Sequence, residues 1–86
     1  MKTIIDNTTL ISKYVFNDNE EVTLIDTKII TSKFIIDDMN KNNATLIDIT
    51  SIPNDWVGGK YLYDNGFNLN PNWVEPALTT QINALA

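Results

Sequence analysis

Short runs of apolar, β-branched or aromatic residues alternate along this chain with clusters of Asn, Asp, Gly and Ser. Such runs are typical of strands and the polar clusters are typical of turns, whereas a helix repeats its apolar residues every three or four positions. Helical periodicity is nearly absent. The pattern therefore predicts an all-β protein, a single small antiparallel sheet or a sandwich of about six or seven short strands.

Three parts of the N-terminal half show the strand pattern most clearly. Residues 13–16 and 22–25 are separated by a polar stretch, and their spacing predicts that they pair as a hairpin. Residues 28–36 are interpreted as one long strand or two bent ones. Residues 44–50 form a further predicted strand, in which alternation places Thr45, Ile47 and Ile49 on one face.

The C-terminal third contains the strongest turn signal. Asn65-Gly66 supplies two residues that tolerate positive φ, and it predicts a hairpin between residues 60–63 and 67–69. Pro76 can open a helix, so residues 77–86 are predicted to be a short helix or a disordered tail. The remaining residues, 1–76, are predicted to form one β-rich domain.

Chain length and residue usage restrict how the fold is stabilised. The chain has 86 residues, no Cys and no His. A domain of this size buries only about 60–65% of its unfolded surface, and disulfides and the usual zinc ligands are excluded. Association of copies is the remaining source of stability, and we expect a homo-oligomer.

The charges argue against two classes of partner. The 6 cations are all Lys, are spread along the chain and face 11 acidic residues, for a net charge of −5. Nucleic-acid binding relies on clustered Lys and Arg. No polybasic cluster or long apolar run suggests a membrane. We expect neither nucleic-acid nor membrane partners.

Catalytic groups are also scarce. Without His or Cys, the commonest general base and the thiol nucleophile are missing. The adjacent carboxylates Asp37-Asp38 and Glu20-Glu21 fall in predicted turns, where solvent keeps them ionised. No catalytic motif is present. The sequence predicts a protein that is not an enzyme and has no cofactor or metal.

An aromatic cluster is the one candidate binding feature. Five of the eight aromatic residues fall between positions 56 and 73: Trp56, Tyr61, Tyr63, Phe67 and Trp73. Tyr61 and Tyr63 share a face of the predicted strand. Such rings bind partners or sugars well, and they also serve as cross-strand packing pairs or a subunit interface.

The same stretch has the pattern Pro-x-x-Trp-x-Gly-x-Lys-Tyr-x-Tyr-Asp-x-Gly-x-x-x-Asn-Pro-x-Trp. It resembles segments of small uncharacterised proteins and tail-fibre-associated proteins of marine tailed phages, especially those of cyanobacteria. The residues that carry it are Pro53, Trp56, Gly58, Lys60, Tyr61, Tyr63, Asp64, Gly66, Asn70, Pro71 and Trp73. The resemblance implies a bacteriophage (cyanophage-like) origin and a virion or tail role, without implying an activity.

These expectations combine into one preferred function and two alternatives. The preferred one is a phage structural or interaction protein, located in the virion or the host cytoplasm and acting as a homo-oligomer. Another virion protein is a further possible partner. The first alternative is an acidic protein that binds and modulates a host protein during infection. The second is a carbohydrate-binding adhesin that uses the aromatic cluster.

Overall fold

The computed structural model describes residues 1–74, which contain strands and no helix, and therefore no helix able to cross a membrane. The eight strands are β1 (Lys2–Asp6), β2 (Ser12–Phe16), β3 (Val22–Leu24), β4 (Ile29–Thr31), β5 (Ile35–Ile36), β6 (Ala44–Asp48), β7 (Tyr61–Tyr63) and β8 (Phe67–Leu69). They form three small antiparallel sheets. The all-β prediction is confirmed, with more strands and more sheets than expected. The predicted helix or tail at 77–86 lies outside the described residues.

The first sheet has β1 in its centre, in the order β2-β1-β6. Ile4 faces Tyr14 on one neighbour and Leu46 on the other. The consecutive residues Thr3, Ile4 and Ile5 are at most 5% exposed. Since neighbouring side chains on a strand point to opposite faces, both faces of β1 are covered.

The second sheet supplies the other side of the main core. Its order is β3-β4-β5, and its register places Leu24, Ile29 and Ile36 in one row. The core cluster joins residues of both sheets and one loop residue: Ile4, Phe16, Ile29, Ile36, Met39 and Ala44. Ile4 and Ile29 are fully buried, and each contributes about 1.5–3 kcal/mol through burial.

The predicted pairing of residues 13–16 with 22–25 is wrong. Strand β2 pairs with β1, and β3 pairs with β4. The sequence interpretation did not identify β1, whose two central Ile residues are too few to give a clear alternating pattern. Because β1 pairs with β2 and the loop between β2 and β3 leads into the second sheet, the two runs belong to different sheets.

Residues 28–36 form a hairpin of β4 and β5. Thr31 makes the turn between them, because its hydroxyl accepts hydrogen bonds from the backbone N–H groups of Lys33 and Phe34. The same hydroxyl donates to the Phe34 carbonyl at 2.7 Å. Threonine side chains often stabilise turns in this way, and here the turn divides one apolar run into two strands.

The third sheet is the predicted C-terminal hairpin, which is confirmed. β7 pairs with β8, and the turn contains positive φ angles at Asn65 (56°) and Gly66 (131°). Backbone hydrogen bonds attach the hairpin to the chain before β2, from the Tyr63 N–H to the Leu10 carbonyl at 2.9 Å. The hairpin therefore extends from the β2 side of the first sheet.

Candidate functional site

One face of the C-terminal hairpin is apolar and largely aromatic. The register of β7 and β8 places four side chains on it, Tyr61, Tyr63, Phe67 and Leu69, and we call these residues the hairpin face. The Phe67 ring centroid lies 4.9 Å from that of Tyr63 and 6.3 Å from that of Tyr61, in both cases edge to face. This is a favourable geometry for aromatic rings. Leu69 remains 60% exposed at the end of the row.

Asp55 fixes the edge of the hairpin face. The Tyr61 hydroxyl donates to Asp55 Oδ1 at 2.7 Å, and the Lys60 ammonium lies 2.9 Å from Oδ2. These two contacts, the Tyr61 hydrogen bond first, hold the pKa of the Asp55 carboxyl below its usual value. A turn closed by the Trp56 N–H and the Pro53 carbonyl places Asp55 there. The carboxylate therefore orients Tyr61 from outside the hairpin.

Trp56 is part of a buried chain of hydrogen bonds. Its indole N–H donates to the Ser12 hydroxyl at 3.0 Å, and the Ser12 and Thr3 hydroxyl oxygens are 2.6 Å apart. The Thr3 hydroxyl donates to the Tyr14 carbonyl at 2.9 Å. Because each hydroxyl has one hydrogen, Ser12 must donate to Thr3. The indole N–H is thus used inside the protein.

A bulge in β2 explains how the loop before the hairpin packs. Ile4 faces Tyr14 while Ile5 faces Ser12, so Lys13 is an extra residue in the pairing. A Cβ at Gly58 would lie 2.7 Å from the Lys13 carbonyl oxygen. Only glycine permits this approach, which also brings the Gly59 N–H to the Ser12 carbonyl at 3.0 Å. The bulge in β2 and Gly58 together allow this close approach, since a bulge changes the local direction of a strand.

Trp73 follows the hairpin and lies beside the end of the loop that precedes it. A Cβ at Gly59 would be 3.8 Å from the Trp73 ring. Asn70 holds the chain there, because its side-chain amide donates to the Gly59 carbonyl at 2.9 Å and its backbone N–H donates to the Lys60 carbonyl at 2.8 Å. Trp73 therefore packs beside the loop and is only partly exposed.

The five predicted site residues thus divide into two groups. Tyr61, Tyr63 and Phe67 come together on the hairpin face. Trp56, in the loop before the hairpin, bonds to Ser12 of β2, and Trp73 packs beside Gly59 of that loop. All five are half-buried. The prediction that Tyr61 and Tyr63 share a face is confirmed.

Sequence reasoning missed two residues whose side chains bond to other elements: one partner of Ser12 is 44 residues away, and the partners of Asp55 are five and six residues away. Nothing in the local sequence of either residue identifies a partner. It also missed a second aromatic cluster of Tyr14, Phe16 and Phe34, with ring centroids 5.8–6.4 Å apart. The shared parity of Tyr14 and Phe16 was a usable signal for that cluster.

An open cavity of about 290 Å³ lies between the first sheet, the loop before β6 and the Gly58-Gly59 loop before the hairpin. Asp6 and Asp38 supply its carboxylates. The backbone N–H groups of Thr9 and Thr8 donate to Asp6 and lower its pKa, so this carboxylate stabilises a turn. Within residues 1–74, no three acidic side chains gather as a metal-binding group.

Comparison of the chain with protein-family models, with curated proteins and with solved structures found no match.

Proposed function

We propose that this chain is a phage-encoded, non-enzymatic structural or interaction protein that acts as a homo-oligomer, with the hairpin face as a contact between subunits. The observation that carries the proposal is the exposure of Leu69, 60%, at the end of a row of three half-buried aromatic side chains. Because Leu69 is already partly covered, covering the rest of it contributes about 1–2 kcal/mol. The aromatic rings beside it are of the type that dominates protein interfaces.

The internal contacts of the hairpin support the same role. Asp55 fixes the Tyr61 hydroxyl, and the edge-to-face rings hold one another in place. A surface already ordered in this way loses little side-chain entropy when a partner covers it. The bond from Trp56 to Ser12 then attaches the loop before the hairpin to the first sheet, and Trp73 packs beside Gly59 of that loop.

Solution mass tests the subunit contact. We would compare the wild type with Leu69→Lys and Asn68→Lys by size-exclusion chromatography with light scattering, over a dilution series. Asn68 is the neighbouring exposed residue on the opposite face of β8, so its variant is the matched control. We expect a mass above 9.7 kDa for the wild type and the control, and a lower mass for Leu69→Lys. A wild-type monomer throughout, or an unchanged Leu69→Lys mass, would overturn this contact.

The virion part of the proposal rests on the resemblance to marine phage proteins. Mass spectrometry of purified virions tests it directly, and we expect this chain at a fixed ratio to the known structural proteins. Detection only in the soluble fraction of infected cells would remove the virion role. That result would favour the alternative in which the chain binds a host protein.

A further inference from the structure

Strand β6 forms an outer edge of the first sheet, and the contacts within residues 1–74 show which of its backbone groups point away from β1. The Asn7 N–H donates to the Asn43 carbonyl at 2.9 Å, and the Ile49 N–H donates to the Met1 carbonyl at 2.8 Å. Asn7 with Asn43 and Met1 with Ile49 are therefore hydrogen-bonded pairs of the antiparallel ladder between β1 and β6. Because such pairs alternate with non-hydrogen-bonded ones, Thr45 and Ile47 bond to β1, whereas Ala44, Leu46 and Asp48 point their backbone groups outward.

The outward groups form a short, regular row. The Ala44 N–H donates to the Asn40 carbonyl at 3.0 Å. The row therefore presents two N–H donors, at Leu46 and Asp48, and three carbonyls, at Ala44, Leu46 and Asp48. Within residues 1–74, no strand lies beyond β6 in the sheet order.

Three common protections of an edge strand, Lys, Pro and a bulge, are missing from β6, whose one charged residue is Asp48 at its end. Its sequence Ala-Thr-Leu-Ile-Asp contains no Lys and no Pro, and its pairing with β1 continues through all five residues without a bulge. Natural sheets usually block an exposed edge by one of these means. The other edge of the first sheet, by contrast, is approached by the loop at Gly58 and Gly59.

We propose that β6 pairs antiparallel with β6 of a second copy, about a two-fold axis at Leu46. In this register the Leu46 N–H of each copy donates to the Leu46 carbonyl of the other. The Asp48 N–H of each copy donates to the Ala44 carbonyl of the other. The two outward donors of each copy are both satisfied, and two three-stranded sheets become one of six strands.

The charges and the side chains favour this register. Centring on Leu46 places each Asp48 opposite Ala44 of the partner, at opposite ends of the paired strands, whereas centring on Asp48 would bring two carboxylates face to face. Leu46 shares a face with Ala44 and packs against the main core. Pairing therefore brings the two Leu46 side chains together on the core side, and the same surface of each copy is used, as a two-fold contact requires.

This inference deepens the proposed function, because the β6 edge is a second contact between copies. The contact itself is argued from the geometry of β6, and only its biological purpose rests on the proposed function. The β6 edge and the hairpin face are different surfaces. If both contacts operate, assemblies larger than a dimer form. Removing either contact then leaves the other, so the two proposals fail separately.

Proline at position 48 tests the edge contact. Asp48→Pro removes an outward N–H that makes no bond to β1, and proline is tolerated on edge strands. Asp48→Asn is the matched control, since it removes the charge and keeps the donor. Because two hydrogen bonds are lost per dimer, we expect Asp48→Pro to weaken self-association in light scattering by about tenfold to thirtyfold. Asp48→Asn should associate at least as strongly as the wild type.

A cross-linking measurement keeps the test decisive if Asp48→Pro unfolds. The chain has no Cys, so Leu46→Cys can form a disulfide only with its equivalent in another copy. Paired residues on antiparallel strands lie within the Cα separation that a disulfide requires. We expect a covalent dimer after mild oxidation, and little of it for Thr23→Cys on the exposed side of the second sheet. Failure of Leu46→Cys to cross-link above that control would overturn the proposal.

The outcomes also separate the two interfaces. A folded Asp48→Pro protein with wild-type association, together with a monomeric Leu69→Lys protein, would overturn the edge contact and leave the proposed hairpin contact intact. Loss of association in Asp48→Pro with no effect of Leu69→Lys would support the edge contact and overturn the hairpin contact.

Discussion

At the scale of single residues, the central feature is the pair of fully buried hydroxyls, Thr3 and Ser12. A buried polar group that lacks a partner is costly, and a satisfied one fixes a unique packing arrangement. Here the chain from Trp56 through Ser12 and Thr3 to the Tyr14 carbonyl satisfies every member. The loop before the hairpin is therefore attached to the first sheet by a specific bond as well as by packing.

Removing the Ser12 hydroxyl should destabilise the protein. Ser12→Ala leaves the Trp56 indole N–H without its acceptor, and we expect a loss of about 1–3 kcal/mol in the free energy of unfolding. In urea titrations, Ser12→Ala and Trp56→Phe should be non-additive by about 0.5 kcal/mol or more, because they share one bond. The exposed Ser51→Ala is the control. A Ser12→Ala protein as stable as that control would show that the bond contributes nothing.

At the scale of elements, local signals predicted the strands, and they failed where pairing depends on distant residues. The β7–β8 hairpin follows from Asn65-Gly66, because the turn itself sets the pairing. The centre of the first sheet, β1, pairs with β6 across some forty residues of chain. No local pattern carries that information. The sheet order of the N-terminal half was therefore unpredictable from the sequence, although most of its strands were found.

The same division applies to the candidate site. Alternation along β7 correctly placed Tyr61 and Tyr63 together, since period two is a local property. The separation of Trp56 and Trp73 from the hairpin face arises from contacts with Ser12 and Gly59. The close approach of Gly58 to the Lys13 carbonyl depends on the bulge in β2, which no local pattern predicts.

The stability contributed by the contact between Asp55 and the hairpin should depend on pH. The pKa of Asp55 is lowered in the folded state, so its contribution to stability is present above the unfolded pKa of about 4 and is lost as the pH falls through the folded pKa. Tyr61→Phe removes the largest cause of this shift. We expect the variant to be less stable at pH 7 and to lose less stability on acidification.

Urea midpoints measured between pH 3 and pH 7 check this expectation. Tyr63→Phe is the matched control, because it removes a hydroxyl from the same strand while keeping the ring contact with Phe67. The control should follow the wild-type curve. If Tyr61→Phe and Tyr63→Phe gave the same curve as the wild type, the bond between Tyr61 and Asp55 would have no energetic weight.

At the scale of the whole molecule, association must occur against the net charge. Each copy carries a net charge of −5, so approaching copies repel one another. Both proposed contacts are formed by apolar side chains and backbone groups. Their strength should therefore depend little on ion pairs, whereas the long-range repulsion depends strongly on ionic strength.

Salt should accordingly strengthen self-association. Raising the ionic strength from about 0.01 M to about 0.1 M shortens the screening length from about 30 Å to about 10 Å, which weakens repulsion between copies and leaves apolar contacts in place. We expect the dissociation constant from sedimentation equilibrium to fall over this range. Asp37→Lys, an exposed change that makes each copy two charge units less negative, should show a smaller salt effect. Association that weakened with salt would instead require ion pairs across the interface, and neither the hairpin face nor the β6 edge as described would then account for it.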